Sequence, residues 1–433
     1  MMIRRALILV LALAWPLQQA GAQLTVQILR GMAESVPIAI VPLAWAGEGA
    51  PPWDVAATVQ SDLERSGRFR PLPREQLIEQ PHAASEVDVA DWRMLKVDYV
   101  LVGRLAPLAG GRYEIRYELV SVANGERLLG TAVPVDAKAL KRASHRVSDA
   151  VYEKILGVRG AFATRVAYVA VDGPVNRRSY RLIVSDSDGA NEHVVFGSPD
   201  PIMSPAWSPD GRQLAYVSFH SGLSAVYVQT LSTGAQVQVS AKSGINGAPS
   251  FSPDGSRLAL ALSRRDGNVD VYVLTLATQD LKRVTDDPSI DTEPAWAPDG
   301  GSLYFTSDRA GAPQVYKVGL EPGARARRVT FEGSYNARPR VSPDGRQLAV
   351  VTLDRGAYRI GAADTQRGGL QVLSSGQQDE SPSFAPNGAD ILYTSRVGGR
   401  DTLAIVSSDG RVQRQIAASA GELREAAWSP FLD

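Results

Sequence analysis

The chain has 433 residues, a length that suits two or three domains, and its 44% hydrophobic content is ordinary for a globular protein. Lysine plus arginine and aspartate plus glutamate both number 46, and this balance argues against a nucleic-acid-binding protein. Cysteine is absent, and the histidines His82, His145, His193 and His220 are not paired at metal-ligand spacing. We therefore expect no disulfide, no metal and no cofactor, with each histidine at the surface or in a turn.

Residues 1–22 have the parts of a secretory signal peptide. Arg4 and Arg5 give a positive start, an apolar run follows to Leu17, and Ala20-Gly-Ala22 fits the small-x-small cleavage rule. The apolar run is too short to span a bilayer, and no later stretch is longer. We expect the mature protein to begin near Gln23, to be exported and not to be embedded in a membrane. The alternative is an uncleaved membrane anchor.

The start of the mature chain, residues 23–33, alternates the apolar side chains of Leu24, Val26 and Ile28. Such a segment can add to a sheet as an edge strand or pack into a groove, and its terminal position allows it to detach. It is therefore a candidate partner-binding segment. The alternative is an ordinary first strand fixed in the domain that follows.

Residues 23–157 are predicted to form an α/β domain on a mixed sheet. Asp54 can cap a helix that ends before Gly67, and Asn124-Gly125 can turn a hairpin. The predicted elements are strands at 37–43, 98–103, 112–121 and 127–135, and helices at 55–65, 87–96 and 138–156. The domain contains no glycine-rich phosphate loop.

Between residues 161 and 433 the chain carries six near-copies of one phrase, which in most copies reads proline, a small residue, an aromatic residue, and Ser/Ala-Pro-Asp/Asn-Gly. The copy at 339 has Arg340 at the small position, and the clipped last copy is Ala426-Ala-Trp-Ser-Pro430. The copies begin at residues 205, 249, 294, 339, 382 and 426, in steps of 44, 45, 45, 43 and 44 residues. One strand-rich unit per period of this size indicates a blade of a β-propeller. The last copy stops after one strand, whereas residues 165–197 lack a first strand. We therefore predict a six-bladed propeller closed by the C-terminal strand, because closure removes open sheet edges.

The aromatic residue of each phrase is expected between neighbouring blades, where Val341 replaces it in one copy. The aromatic residues are Trp207, Phe251, Trp296, Phe384 and Trp428. In a four-stranded blade, the link from one blade to the next lies on the face opposite the Pro-Asp-Gly turns. Loops held by a rigid ring make a good recognition surface.

The order of signal peptide, α/β domain and six-fold array resembles the TolB family, the periplasmic propellers of the Tol–Pal system of Gram-negative bacteria. The resemblance covers essentially the whole chain. It includes Met203-Ser-Pro-Ala-Trp-Ser-Pro-Asp-Gly211, Asn246-Gly-Ala-Pro249, Thr292-Glu-Pro294, Pro313-Gln-Val-Tyr-Lys317 and the terminal Ala427-Trp-Ser-Pro430.

The resemblance implies a docking protein rather than an enzyme. It implies binding of the peptidoglycan-associated lipoprotein Pal at the propeller and of TolA through the mature N-terminus. Other outer-membrane or peptidoglycan-associated proteins are further candidate partners. The resemblance also implies roles in outer-membrane integrity, in constriction during cell division and in bacteriocin import.

Carried over by position, the resemblance places the Pal contacts in loops at the tunnel mouth. The implied contact residues are Asn246, Ala248, Thr292, Glu293, Asp308 and Arg309. Ile245 stands where family members carry a histidine, so a polar contact would become apolar. Without the resemblance, Thr292 and Glu293 would be interpreted as solvated loop residues.

Two other classes of function remain open from the sequence. A propeller hydrolase would need a nucleophile elbow, which the sequence lacks, or an acidic mouth, which Asp286, Asp287, Asp291, Glu293 and Asp379 offer. A carbohydrate or peptidoglycan binder would use tryptophan and tyrosine as stacking surfaces. Most aromatic residues, however, fall at predicted blade-core positions.

Overall fold

The computed structural model describes residues 35–263, 266–417 and 421–432, and the backbone of residues 25–30. The predicted signal peptide and Leu24 lie outside these residues. Within them, no helix combines the length and the apolar character needed to cross a membrane.

The N-terminal domain is built on a mixed sheet, as predicted. The strands lie in the order Phe69–Pro71, Val36–Ile40, Tyr99–Leu108, Arg112–Ser121 and Arg127–Asp136, with Ala44–Trp45 beside the third. The first three strands and Ala44–Trp45 pair in parallel, and the last two pairings are antiparallel. The α-helices are Val55–Arg65, Val89–Met94 and Leu140–Leu156, and 3-10 turns occur at Arg74–Gln76, Ala84–Glu86 and Ala137–Ala139. A further 3-10 turn, Val175–Arg177, lies in the propeller.

Capping residues determine where these helices begin and end. The Asp54 carboxylate accepts the Ala57 N–H at 2.8 Å, and Gly157 ends the last helix in the left-handed conformation with φ 76°. The middle helix begins at Val89 rather than at residue 87 because Asp88 caps it through the Ala90 N–H. The first and last helices pack on one face of the sheet and form the main core of the domain.

Six four-stranded antiparallel blades follow, and each blade begins with the strand that lines the central tunnel. Blade 1 comprises Ile202–Trp207, Gln213–Ser218, Ala225–Thr230 and Gln236–Ser240, and blade 2 comprises Asn246–Phe251, Arg257–Ser263, Val269–Thr275 and Leu281–Arg283. Blade 3 comprises Asp291–Trp296, Ser302–Ser307, Gln314–Gly319 and Arg327–Arg328, and blade 4 comprises Asn336–Val341, Gln347–Asp354, Ala357–Asp364 and Gly368–Val372. Blade 5 comprises Asp379–Phe384, Asp390–Val397, Arg400–Ser407 and Gln413–Ala417, and blade 6 comprises Glu422–Trp428, Arg165–Asp172, Ser179–Asp186 and His193–Ser198.

Blade 6 closes the ring as the sequence predicts. Its inner strand comes from the C-terminus and pairs antiparallel with Arg165–Asp172, with Trp428 opposite Val166. The Ser429 N–H also donates to the Arg165 carbonyl at 2.9 Å. The prediction of six blades closed by the C-terminal strand is confirmed.

Hydrophobic clusters lie between successive blades and include the aromatic residues of the repeated phrase. Trp207 is buried, and its indole N–H donates across the blade boundary to the Ala427 carbonyl at 3.1 Å. Trp296 donates in the same way to the Ser250 carbonyl at 2.9 Å. Trp428 is only half-buried, and its indole N–H donates to the Thr164 hydroxyl at 2.8 Å.

The N-terminal strand Thr25–Arg30 lies on the propeller and is not part of the mixed sheet. It pairs antiparallel with the outermost strand of blade 5, with Val26 opposite Ile416 and Ile28 opposite Arg414. The predicted edge strand is therefore confirmed, and its position in the α/β domain is wrong. Because the strand adds to an open blade edge, blade 5 becomes a five-stranded sheet whose outer edge is this segment.

A buried ionic cluster joins the two domains. His145 contacts Asp62 of the first helix at 2.7 Å through Nδ1 and lies 3.5 Å from Asp188, in the propeller, through Nε2. Lys141 pairs with Asp188 at 2.9 Å and with Asp186 at 3.3 Å. The expectation of a surface position for His145 is wrong, because the residue is 2% exposed. Its carboxylate partners compensate for the cost of removing the imidazole from water.

Candidate partner-docking face

The links between blades and the turns between second and third strands share one face of the ring, here called the mouth face. It contains residues 243–248, 289–293, 334–338 and 378–381, together with the turn at 307–309. The Pro-Asp-Gly turns lie on the opposite face, here called the turn face. This arrangement follows from four antiparallel strands per blade.

One residue of each inner strand adopts a left-handed backbone at the tunnel mouth. These residues, here called the mouth ring, are Ser204, Ala248, Glu293, Arg338, Ser381 and Glu425, with φ between 47° and 54°. A β-bulge interrupts the pairing of every inner strand at this point. Non-glycine residues adopt this conformation at an energetic cost, and such residues cluster at functional sites. The mouth ring is therefore a regular element of the blade geometry within this molecule, repeated in all six blades, and residue propensities do not predict it.

Five of the predicted contact residues line one pocket of 430 Å³ on the mouth face. They are Ile245, Asn246, Ala248, Thr292 and Glu293. Met203 and Leu223 of blade 1 line the other side of this pocket. Three apolar side chains are exposed here, at 52% for Ile245, 65% for Leu223 and 37% for Met203. An exposed apolar group of this kind, rimmed by polar residues, is typical of a protein-binding surface.

Asn246 supports the pocket from below, because its side chain is buried. Its Oδ1 accepts from the Ser240 hydroxyl at 2.7 Å and from the Lys242 N–H at 2.8 Å, and its Nδ2 donates to the Lys242 carbonyl at 2.6 Å. The side chain thus fixes the link between blades 1 and 2. Asn246 positions the residues that can contact a partner.

Equivalent buried residues begin the inner strands of blades 3, 4 and 5, namely Asp291, Asn336 and Asp379, each 0% exposed. Asp379 accepts from the hydroxyls of Ser374 and Ser395 at 2.5 and 2.6 Å. Asp291 and Asp379 are therefore occupied in holding links. This occupancy argues against the acidic-mouth interpretation, which needs these carboxylates to face the tunnel as ligands.

Arg309 and Asp308 brace the neighbouring link. The Arg309 guanidinium makes a bidentate pair with Asp291 at 2.9 and 2.8 Å and lies 4.8 Å from the centre of the Tyr316 ring. The Asp308 carboxylate accepts the Ile290 N–H at 2.9 Å. Both predicted contact residues border the mouth face, and the side chain of Arg309 is only 19% exposed. The main role of the Arg309 side chain is therefore to stabilise the link at 289–293 rather than to contact a partner.

A charged network crosses the tunnel at the mouth ring. Arg338 of blade 4 pairs with Glu293 of blade 3 at 2.8 Å and with Glu425 of blade 6 at 3.5 Å. Blades 4 and 6 are not neighbours, so the second contact passes across the tunnel. Burial alone would lower the pKa of Arg338, but Glu425 and Glu293 outweigh burial, and the pKa is raised from its ordinary value. The sequence analysis did not identify Arg338 as a site residue. The available signal was its position, because Arg338 stands directly before the proline of the repeated phrase, as Glu293 does.

Val26 and Ile28 belong to a separate part of the molecule, because their strand lies on the outer edge of blade 5. The mouth pocket lies between blades 1, 2 and 3. The structure therefore divides the predicted partner-binding residues into two surfaces. Leu24 lies outside the described residues.

His145, Asp186 and Asp188 offer ligand atoms within 4.8 Å of one another, an arrangement that could hold a cation. The ammonium group of Lys141 already contacts both carboxylates. A metal ion would have to displace this ammonium group and a proton on His145. The cluster is better described as an interdomain ionic contact.

Comparisons with known proteins fit this architecture. The profile of the TolB amino-terminal domain matches residues 24–128, and that of the TolB beta propeller domain matches residues 152–432. The chain belongs to the TolB family. The Tol-Pal system protein TolB of Xanthomonas oryzae pv. oryzae strain KACC10331 is 50% identical over 427 residues, covering 98% of this chain and 96% of the relative.

A second TolB relative, from Xanthomonas campestris pv. campestris strain B100, is 49% identical and covers 96% of this chain and 94% of its own length. A crystal structure of TolB from Acinetobacter baumannii superposes with a TM-score of 0.87 at 38% identity, covering 94% of this chain and 100% of that one. Membership of the TolB family confirms the predicted family and supports the prediction that the protein is not an enzyme.

Proposed function

We propose that this TolB-family protein is a periplasmic docking protein of the Tol–Pal system. It binds Pal on the mouth face and TolA through its N-terminal segment. Through these contacts it maintains outer-membrane integrity and supports constriction at division, and bacteriocins use it for import. The observation that carries the proposal is the pocket on the mouth face, which exposes apolar side chains. The pocket borders the mouth ring, whose left-handed residues are linked across the tunnel by the ion pairs of Arg338.

The carbohydrate-binding alternative receives less support from the positions of the aromatic residues. Trp207 and Trp296 are buried between blades and donate to backbone carbonyls there. Their ring faces are therefore used in packing and are not offered to a sugar at the mouth. The exposed apolar side chains of the mouth pocket, Met203, Leu223 and Ile245, are aliphatic or sulfur-containing. The aromatic residue that lines this pocket, Phe219, is half-buried.

We expect replacement of Ile245 by serine to weaken Pal binding about tenfold, because a large apolar side chain buried by the partner contributes about 1–3 kcal/mol. Isothermal titration of the Pal periplasmic domain into the full mature protein measures the effect. The matched control is Val237→Ser, since Val237 is 59% exposed but lies on the outer strand of blade 1. Equal Pal affinities for the two variants would place Pal elsewhere.

We expect deletion of residues 23–33 to lower TolA binding at least about a hundredfold while Pal binding remains measurable. Among the residues that the structure describes, the strand at 25–30 pairs along one edge with blade 5 and also lies near the helix Val55–Arg65. Its second edge is therefore the one we expect to pair with a partner strand. The control replaces the same residues with a glycine-serine segment of equal length. TolA affinity that survives both changes would contradict the role of the segment.

The same deletion measures coupling between the two surfaces. If removal of the segment changes Pal affinity by some factor, Pal must change the release of the segment by that same factor. Pal titrations with and without residues 23–33 therefore give the coupling free energy directly.

A further inference from the structure

The tunnel contains a second arginine, one step below the mouth ring. The residues two positions after the ring members are Ala206, Ser250, Ala295, Arg340, Ser383 and Ala427. Five of the six blades thus place alanine or serine at this level, and only blade 4 places a long cationic side chain there. Arg340 retains an accessible fraction of its surface, as expected for a group that lines a tunnel.

The two tunnel arginines differ in their partners. Arg338 is engaged by Glu293, Glu425 and the hydroxyl of Ser381. Arg340 donates to the carbonyl of its own neighbour, Pro339, at 2.9 Å. Among the residues that the structure describes, no carboxylate lies within 4.0 Å of the Arg340 guanidinium.

The electrostatic surroundings point in the same direction. Removal from water lowers the pKa of Arg340 from its ordinary value, and Arg338 acts in the same sense. The carboxylates of Glu293 and Glu425 act in the opposite sense but do not outweigh burial. A guanidinium has five donors in a planar fork, so most of its donor capacity remains available for an added acceptor.

We propose that the tunnel holds an oxyanion, a carboxylate or a phosphate, on the guanidinium of Arg340. The fork accepts two oxygens of such a group, and the low dielectric of the tunnel strengthens the pair. Glu293, Glu380 and Glu425 near the mouth oppose an entering anion, and Arg338 offsets part of their charge. We therefore expect a free anion to bind weakly, with a dissociation constant on the order of 1 mM.

The oxyanion has two possible sources, a free inorganic anion or an acidic side chain of the protein docked on the mouth face. The second source rests on the proposed function, and the first does not. Both share the chemistry of a planar or tetrahedral group of anionic oxygens facing one arginine. The experiment below separates them.

The test compares the full mature protein with Arg340→Gln. Arg346→Gln is the matched control, because Arg346 lies beside a Pro-Asp-Gly turn on the turn face and its side chain is 82% exposed. Inorganic phosphate replaces chloride at constant ionic strength up to about ten times the expected dissociation constant. We expect the Tm of the wild type and of the control to rise about 1–2 °C more than that of Arg340→Gln. Arg340→Lys, which keeps the charge without the fork, gives an intermediate rise and serves if Arg340→Gln does not fold.

A Pal titration with and without phosphate forms the second arm. A tenfold weaker Pal affinity in Arg340→Gln, together with competition by phosphate in the wild type, identifies a partner side chain as the source. Unchanged Pal affinity with an Arg340-dependent phosphate effect identifies a free anion. The same phosphate response in wild type and variant, with unchanged Pal affinity, overturns the proposal. Failure of Pal to bind the wild type would refute the docking proposal and leave the phosphate arm to decide the site.

Discussion

Removal of residues 424–433 is expected to unfold the propeller. The deleted strand supplies the inner edge of blade 6, and it also contacts both neighbouring blades. The backbone N–H of Trp428 donates to the Ser383 hydroxyl of blade 5 at 2.9 Å. The Ala427 carbonyl accepts from the indole N–H of Trp207 in blade 1. Deletion therefore opens a sheet edge and two blade boundaries together. The loss should exceed about 5 kcal/mol, which is comparable with the whole stability of a typical domain.

Thermal and urea unfolding of the mature chain measure this loss, with a variant lacking only Asp433 as the control. A shortened protein that melts cooperatively at the parental temperature would show that the ring does not depend on its last strand.

Trp428→Ala should lower the free energy of unfolding by less than the deletion does. Because Trp428 is half-buried, about 2–3 kcal/mol is expected, below the 3–5 kcal/mol typical of a fully buried tryptophan.

The interdomain cluster is expected to make stability fall as the pH rises. Asp188 and Asp62 raise the pKa of His145 from 6.5 to about 9, although burial alone would lower it. A pKa that is higher in the folded state stabilises the fold fully below the unfolded value. The gain declines between pH 6.5 and about 9 and is lost above that range. The shift corresponds to about 3 kcal/mol.

Charge counting supports this sign. Lys141, Arg65 and a protonated His145 face the carboxylates of Asp62, Asp186 and Asp188, so the cluster is neutral only while the imidazole carries its proton. Deprotonation leaves an uncompensated negative charge between the domains. Such a charge is costly in a buried site.

Urea unfolding of wild type and His145→Gln between pH 6 and 10 tests the prediction. The wild-type stability should fall over this range more than that of the variant, and the two curves should converge above pH 9. His193→Gln is the matched control, since His193 is exposed. Parallel pH profiles for wild type and His145→Gln would mean that the imidazole is not the titrating group.

Much of the architecture could be predicted because it rests on local and periodic signals. The six-fold spacing, the Pro-Asp-Gly turns and the missing first strand before Arg165 together specify six blades and their closure. The Asp54 cap and the Gly157 stop fix helix ends within a few residues of the prediction. Each of these signals depends on neighbours in the sequence or on one repeat length.

The rest depends on contacts between distant residues, which composition and spacing do not encode. Asp62 and His145 are 83 positions apart, so the burial of the imidazole follows only from the packing of two helices against a blade. The N-terminal strand shows an edge-strand pattern without indicating which edge it joins. Its pairing with blade 5 follows only once the N-terminal domain is positioned against the propeller.

The candidate site shows the same division. The sequence resemblance selected a face, and the structure gathers Ile245, Ala248 and Thr292 in one pocket. The resemblance could not separate these residues from Asn246 and Arg309, whose side chains stabilise the loops between blades. The left-handed mouth ring was also hidden, because serine, alanine, glutamate and arginine have no preference for that conformation.

Hydrogen exchange of the mature protein with and without saturating Pal is the most direct test of the mouth face as the docking surface. Slower exchange is expected in the links at 243–248 and 289–293, with no change in the Pro-Asp-Gly turns. Repeating the measurement with Ile245→Ser at the same Pal concentration should reduce the protection of both links. Protection confined to the turn face, or to the N-terminal domain, would contradict docking at the tunnel mouth.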